Sequence, residues 1–182
     1  MRVIAGTCRG RTLRAPDGTG TRPTGDRVRE AIFDILGSLM SLDDLAVLDL
    51  YAGSGALGIE ALSRGAARAV FVDQAPAALA AVRANLEALG FQDSGRVVRG
   101  DALAFVARGE PFDLALCDPP YDFDQWSELL GSLEADVAVL ESNRPLSLPA
   151  PWAIMREKRY GGTLVTVASR SSRDPAGQKG TQ

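Results

Sequence analysis

The chain has 182 residues, 46% hydrophobic and 24% charged, which fits one globular domain long enough to bury a core, and no apolar run reaches the length of a membrane span. It contains no histidine and two widely separated cysteines, Cys8 and Cys117, so histidine-based acid–base chemistry is excluded and neither a zinc site nor a disulfide framework is expected. The net charge of −3 argues against nucleic acid, yet seven arginines and three acids in residues 1–30 (net +4) and a second net +4 over residues 152–182 flank a centre of net −11.

Residues 2–6 and 10–14 are short strand-like pieces around a glycine-containing turn, which predicts a β-hairpin whose exposed positions are arginines. Val28, Ile32, Ile35, Leu36 and Leu39 recur at helical spacing and predict an amphipathic helix over residues 27–39, with Thr24 or Asp26 as its cap. Arginine in the first turn of a helix opposes the macrodipole, so Arg27 and Arg29 read as charges kept for a partner.

Residues 45–50 read as a buried strand that runs into Tyr51-Ala52-Gly53-Ser54-Gly55 and then, past Gly58, a helix over residues 59–64. A strand, a glycine turn and a helix in that order suit a nucleotide-type ligand. Arg68–Asp73 is the next strand, ending in an acid able to bind two ribose hydroxyls, and Pro76–Leu89 is helical. Residues 96–99 form a short strand leading to Gly100-Asp101, and residues 102–108 a helix.

Phe112–Cys117 is a brief apolar strand that stops at Asp118-Pro119-Pro120-Tyr121. Proline lacks an N–H and fixes φ, so the carbonyls beside it point in a set direction; a carboxylate and such a carbonyl can both accept from one exocyclic NH2 while the tyrosine stacks on the ring carrying it. Cys117, closing an apolar strand, reads as a small buried hydrophobe rather than a nucleophile. A helix over 126–133 and strands over 137–141, 153–158 and 163–167 follow, the last two joined through Gly161-Gly162 as a hairpin, and residues 171–182 read as a disordered tail. Alternating strands and helices call for an α/β fold with a parallel sheet and right-handed crossovers.

Gly53, Gly55 and Gly58 also match the dinucleotide pattern, which makes a nicotinamide site the first rival. Two features weigh against it: Asp49, four residues ahead of the first glycine, can meet a charged amino-acid portion, and Asp118-Pro119-Pro120-Tyr121 has no task beside a nicotinamide.

Together, Asp49-x-x-x-Gly53-x-Gly55, Asp73, Asp101 and Asp118-Pro119-Pro120-Tyr121 resemble the class I methyltransferases that modify exocyclic amines with S-adenosylmethionine. With Gly6-x-x-Arg9-Gly10-Arg11 and Arg22-Pro23-Thr24-x-Asp26-Arg27-Val28-Arg29-Glu30, the chain over residues 1–168 is similar to the RsmD family, which methylates the N2 amine of a guanine in small-subunit ribosomal RNA. The resemblance implies a Rossmann-like, mostly parallel seven-stranded sheet with a C-terminal antiparallel hairpin and a small amino-terminal hairpin and helix extension. It implies an RNA-binding extension over residues 1–40, a catalytic domain over 41–168 and a tail over 169–182, acting in the cytoplasm as a monomer without metal or membrane.

By the same resemblance, Asp49, Tyr51, Ala52, Gly53, Ser54 and Gly55 hold the methionine part of the cofactor, Asp73 the ribose, and Asp101 with Ala102 the adenine. Asp118 and the Pro119 carbonyl accept from the guanine amine, with Pro120 and Tyr121 completing the grip on a flipped base. Arg9, Arg11, Arg22, Arg27 and Arg29 are the implied contacts to phosphates of ribosomal RNA or an assembling small subunit. Methylation of adenine or cytosine amines in DNA, and a non-catalytic assembly factor with the same fold, are the competing expectations.

Overall fold

The computed structural model describes residues 1–16 and 25–171. Helix α1 spans Asp26–Leu39, and strand β1 (Ala46–Leu50) leads into α2 (Ala56–Ser63). Next come β2 (Arg68–Asp73), α3 (Pro76–Leu89), β3 (Gly95–Arg99), α4 (Ala102–Val106) and β4 (Phe112–Cys117). Helix α5 (Trp126–Ser132) precedes β5 (Ala135–Ser142), β6 (Trp152–Tyr160) and β7 (Thr163–Arg170).

The seven strands form one sheet in the order β3-β2-β1-β4-β5-β7-β6. The first five pair in parallel, and β7 runs antiparallel between β5 and β6, so the terminal hairpin extends the sheet beyond β5 with its second strand, β7, innermost. Strand order reverses between β1 and β4, both almost wholly buried, and the crevice beyond their carboxyl ends is where a sheet of this kind binds ligands. Ile32, Phe33 and Leu36 of α1, Ile59 and Leu62 of α2 and Val82 and Leu86 of α3 pack on one face. Phe105, Trp126, Leu129 and Leu130 cover the other.

The amino-terminal segment is joined to the first face by Val3, Cys8 and Leu13. Its hairpin is smaller than expected: one bridge, Arg2 with Thr12, is flanked by Val3 N–H to Arg11 O (2.9 Å) and Gly10 N–H to Val3 O (2.8 Å). What holds it is α2. Glu60 accepts from the Ile4 and Ala5 amides at 2.8 and 2.9 Å, and the Ser63 hydroxyl donates to Ala5 O (2.6 Å) and accepts from Cys8 N–H (3.0 Å). Gly6, at φ +80°, lies so close that an added Cβ would fall 1.7 Å from Ser63 O, so only glycine fits there.

Residue Gly25 is the N-cap of α1, and no side chain caps the helix; Asp26 sits in its first turn paired with Arg29 at 3.1 Å, which replaces the expected cap. Thr24 and the tail beyond 171 lie outside the described residues, among which no helix is long and apolar enough to cross a membrane.

Candidate active site

Beyond β1 the backbone turns sharply: Tyr51 takes φ +59°, Gly53 +55° and Gly55 +77°, the last as N-cap of α2. A positive φ at Tyr51 is strained for a side-chain-bearing residue, and such strain survives only where the surroundings fix it. Asp73, ending the neighbouring β2, fixes the turn by accepting the Gly53 N–H at 2.9 Å through Oδ2, while its Oδ1 accepts from Ala75 N–H at 2.8 Å. Asp49 accepts the Gly58 N–H at 2.9 Å. Burial holds the Asp49 carboxyl well above the ordinary carboxylate range against the lowering pull of that hydrogen bond, and the charges of Asp118 and Asp73 add to the rise.

Asp101 caps α4, accepting from Ala104 N–H at 2.9 Å and from Gln74 Nε2 at 2.7 Å. The cavity wall at this point is formed by Gly100 and Ala102.

From the end of β4, Asp118, Pro119, Pro120 and Tyr121 project over the same edge, with Pro119 buried and Tyr121 52% exposed. Phe123 N–H closes a turn onto Pro120 O at 2.9 Å. Phe123 also stands edge-on to Tyr51 (5.6 Å between centroids) and to Trp126 (5.0 Å), tying the two strand-end loops together. From beyond β5, Asn143 Nδ2 donates to Tyr121 O at 3.4 Å and Arg144 to Phe123 O at 3.1 Å. Cys117 is buried, and burial, then Asp49 and Asp118, push its thiol up, which suits packing rather than nucleophilic attack.

Both groups line one cavity of about 820 Å³: Asp49, the glycine turn and Asp73 on one side, and Asp118 through Tyr121 on the other. Its rim is closed by Met1, Ala15, Pro16, Gly25 and Val28 from the amino-terminal segment and by Tyr160 through Thr163 from the β6–β7 turn. Described parts of the amino-terminal segment and of the β6–β7 turn therefore border one cavity.

The arginines divide. Arg9 and Arg27 are exposed, and Arg11, also exposed, donates to Ala88 O at 2.7 Å at the end of α3. Arg29 corrects the sequence reading: it is fully buried, with Asp26, the carbonyl of Arg2 and Glu60 (3.9 Å) around its guanidinium, so it holds the amino-terminal segment and cannot meet a phosphate. Its place in the series Arg29, Ile32, Phe33, Leu36 is the signal that foretold burial. Arg22 lies outside the described residues. Two hubs carried no sequence signal: Glu60, and buried Asn85, which bonds both backbone groups of Arg14 and donates to Ser54 O at 2.9 Å.

The strand order, the glycine turn braced by two acids and the Asp118-Pro119-Pro120-Tyr121 segment at the switch point together define the fold of a class I methyltransferase. The family model described as conserved hypothetical protein 95 matches residues 1–169, and the chain belongs to that family, the RsmD family. It is 38% identical to ribosomal RNA small subunit methyltransferase D of Escherichia coli strain K12, over 94% of this chain and 91% of that one. The protein of the same name from Haemophilus influenzae is 33% identical over 88% and 89%. The solved structure of yhhF from Escherichia coli superposes with a TM-score of 0.82 at 36% identity, covering 93% of this chain and 97% of that one.

Proposed function

We propose that the protein methylates the exocyclic N2 amine of a guanine in small-subunit ribosomal RNA, with S-adenosylmethionine as methyl donor. The observation that carries this reading is the single cavity shared by the glycine turn and Asp118-Pro119-Pro120-Tyr121. The names of the relatives from Escherichia coli and Haemophilus influenzae support ribosomal RNA as the substrate.

The residues fit the donor. Three carboxylates, Asp49, Asp73 and Asp118, line one cavity, and the Asp49 carboxyl is raised chiefly by its burial, with repulsion from the charges of Asp118 and Asp73 adding to the rise. A positively charged ligand relieves that repulsion. S-adenosylmethionine supplies a methyl group on a positively charged sulfur. Asp49 and the turn from Tyr51 to Gly55 would hold its amino-acid end, and the second lone pairs on Asp73 the ribose hydroxyls. Gly100 and Ala102, with Asp101 fixing the start of α4, would flank the adenine.

The acceptor amine of guanine is a weak nucleophile because its lone pair is delocalised into the ring. Asp118 and the Pro119 carbonyl, accepting its two hydrogens, draw the nitrogen toward a tetrahedral shape that exposes the lone pair. Tyr121 stacks on the flipped purine and fixes its plane, so alignment and proximity supply much of the rate. The amine's proton leaves to water after transfer. Arg9, Arg11 and Arg27 would hold flanking phosphates.

Incubating small-subunit RNA or particles with labelled donor tests the reading. Label enters the RNA with the intact protein and is lost with Asp118→Ala; undiminished transfer by that variant would remove the central assignment.

A further inference from the structure

The β6 strand is one of the two edges of the sheet, and from Ala153 to Arg159 every residue is exposed. Its register on β7 sorts the side chains. Arg156 pairs with Val167 and Lys158 with Val165, and both valines belong to the core beneath α1. Beyond them Val167 pairs with Val139 and Val165 with Glu141, which lines the cavity. Arg156 and Lys158 therefore project on the α1 face, in the row that ends at Tyr160 on the cavity rim. The Lys158 ammonium stands 5.4 Å from the centroid of the Tyr160 ring. The acid between them, Glu157, points to the opposite face and accepts from Thr166 Oγ1 at 3.1 Å. Among the described residues no ion pair involves Arg156 or Lys158.

We infer that Arg156 and Lys158 form a second phosphate-binding track for RNA, facing the amino-terminal arginines across the mouth of the cavity; this rests on the RNA reading above. One strand, β7, lies between Lys158 and Glu141, so two strand spacings set the Lys158 backbone about 10 Å from the cavity wall, and Arg156 lies about 7 Å farther along. Those distances suit the backbone on one side of a flipped nucleotide, with the exposed amino-terminal arginines free to hold the other. A basic track beside an aromatic rim is a common arrangement for unpaired strands.

The test uses the full chain and a fluorescently labelled small-subunit ribosomal RNA fragment, with Kd measured from 50 to 250 mM KCl. Reversing both charges, Arg156→Glu with Lys158→Glu, weakens binding at least tenfold. The double Gln variant lowers the slope of log Kd against log salt by about 1.4 to 1.8, as two lost phosphate contacts require. Donor affinity and melting temperature stay at wild-type values, because both side chains lie on an exposed edge. Arg159→Gln, one charge removed on the opposite face, changes the slope little. Wild-type binding by the reversed variant, with binding still weakened by Arg9→Glu and Arg27→Glu, would overturn the track and leave the function intact. Equal losses from Arg159→Gln would also overturn it, by making the effect one of net charge. A protein with no affinity for ribosomal RNA would overturn both.

Discussion

The Gly58 amide donates to Asp49 Oδ2 at 2.9 Å, which links the first turn of α2 to the end of β1 and leaves no room at residue 58 for a side chain. A Cβ there would stand 2.4 Å from the Phe71 ring and 3.0 Å from Asp49 Oδ2. Gly58→Ala is expected to cost about 1–3 kcal/mol of stability by overpacking and to weaken donor binding, because Asp49 or the helix must shift. Chemical denaturation and calorimetric titration of the donor check both effects. A variant with unchanged stability would refute the packing argument.

The raised Asp49 carboxyl gives a pH dependence of defined sign. A carboxyl whose folded pKa exceeds its unfolded value contributes stability that is fully present below the ordinary value of 3.8 and is lost as pH rises through the folded pKa. The stability of the wild type relative to Asp49→Asn is thus expected to fall with rising pH across that window and then level off. Affinity for a cationic donor rises over the same range as Asp49 ionises. Urea titrations of both proteins at a series of pH values test this; a difference that does not vary with pH would contradict it.

Asp118 and Tyr121 separate chemistry from stacking. Asp118→Ala is expected to lower kcat by roughly a hundredfold or more, in the range for a lost transition-state contact, with donor affinity nearly unchanged. Tyr121→Phe keeps most activity, whereas Tyr121→Ala loses about 1–3 kcal/mol of base binding. Steady-state kinetics with donor and RNA varied separately distinguish these outcomes.

Buried Arg29 behaves as a structural residue. Arg29→Ala leaves Glu60 paired with Arg64 at 2.8 Å but removes the donor to the Arg2 carbonyl, and is expected to cost about 1–3 kcal/mol, loosening residues 1–16, while Arg27→Ala leaves stability unchanged and weakens RNA binding. Thermal melting and hydrogen exchange on the amino-terminal amides would show the contrast. Equal stability of the two variants would contradict it.

The fold was largely legible because its local signals agree. Arg68–Asp73, Phe112–Cys117 and Pro76–Leu89 are bounded by an acid, two prolines and a proline at N1 with a glycine cap, and the structure gives those elements the expected ends. Elements without such punctuation moved: the helix expected over 102–108 stops at Val106, and β5 extends to Ala135–Ser142. The meeting of the glycine turn and the tetrapeptide followed from both being strand ends at one sheet edge. What could not be read depends on contacts far apart in sequence. Glu60 lies in a helix with no polar face, so nothing local says that it receives Ile4 and Ala5. Nor does alternation along β6 say which of its basic side chains share a face with α1, since that is set by β7 inserting between β5 and β6.

Digestion of the methylated RNA to nucleosides, followed by mass spectrometry of the labelled product, tests the central claim most directly. The account predicts N2-methylguanosine at one site, formed by the wild type and absent with Asp118→Ala. Label in adenosine or cytidine, or transfer to DNA in place of RNA, would contradict it.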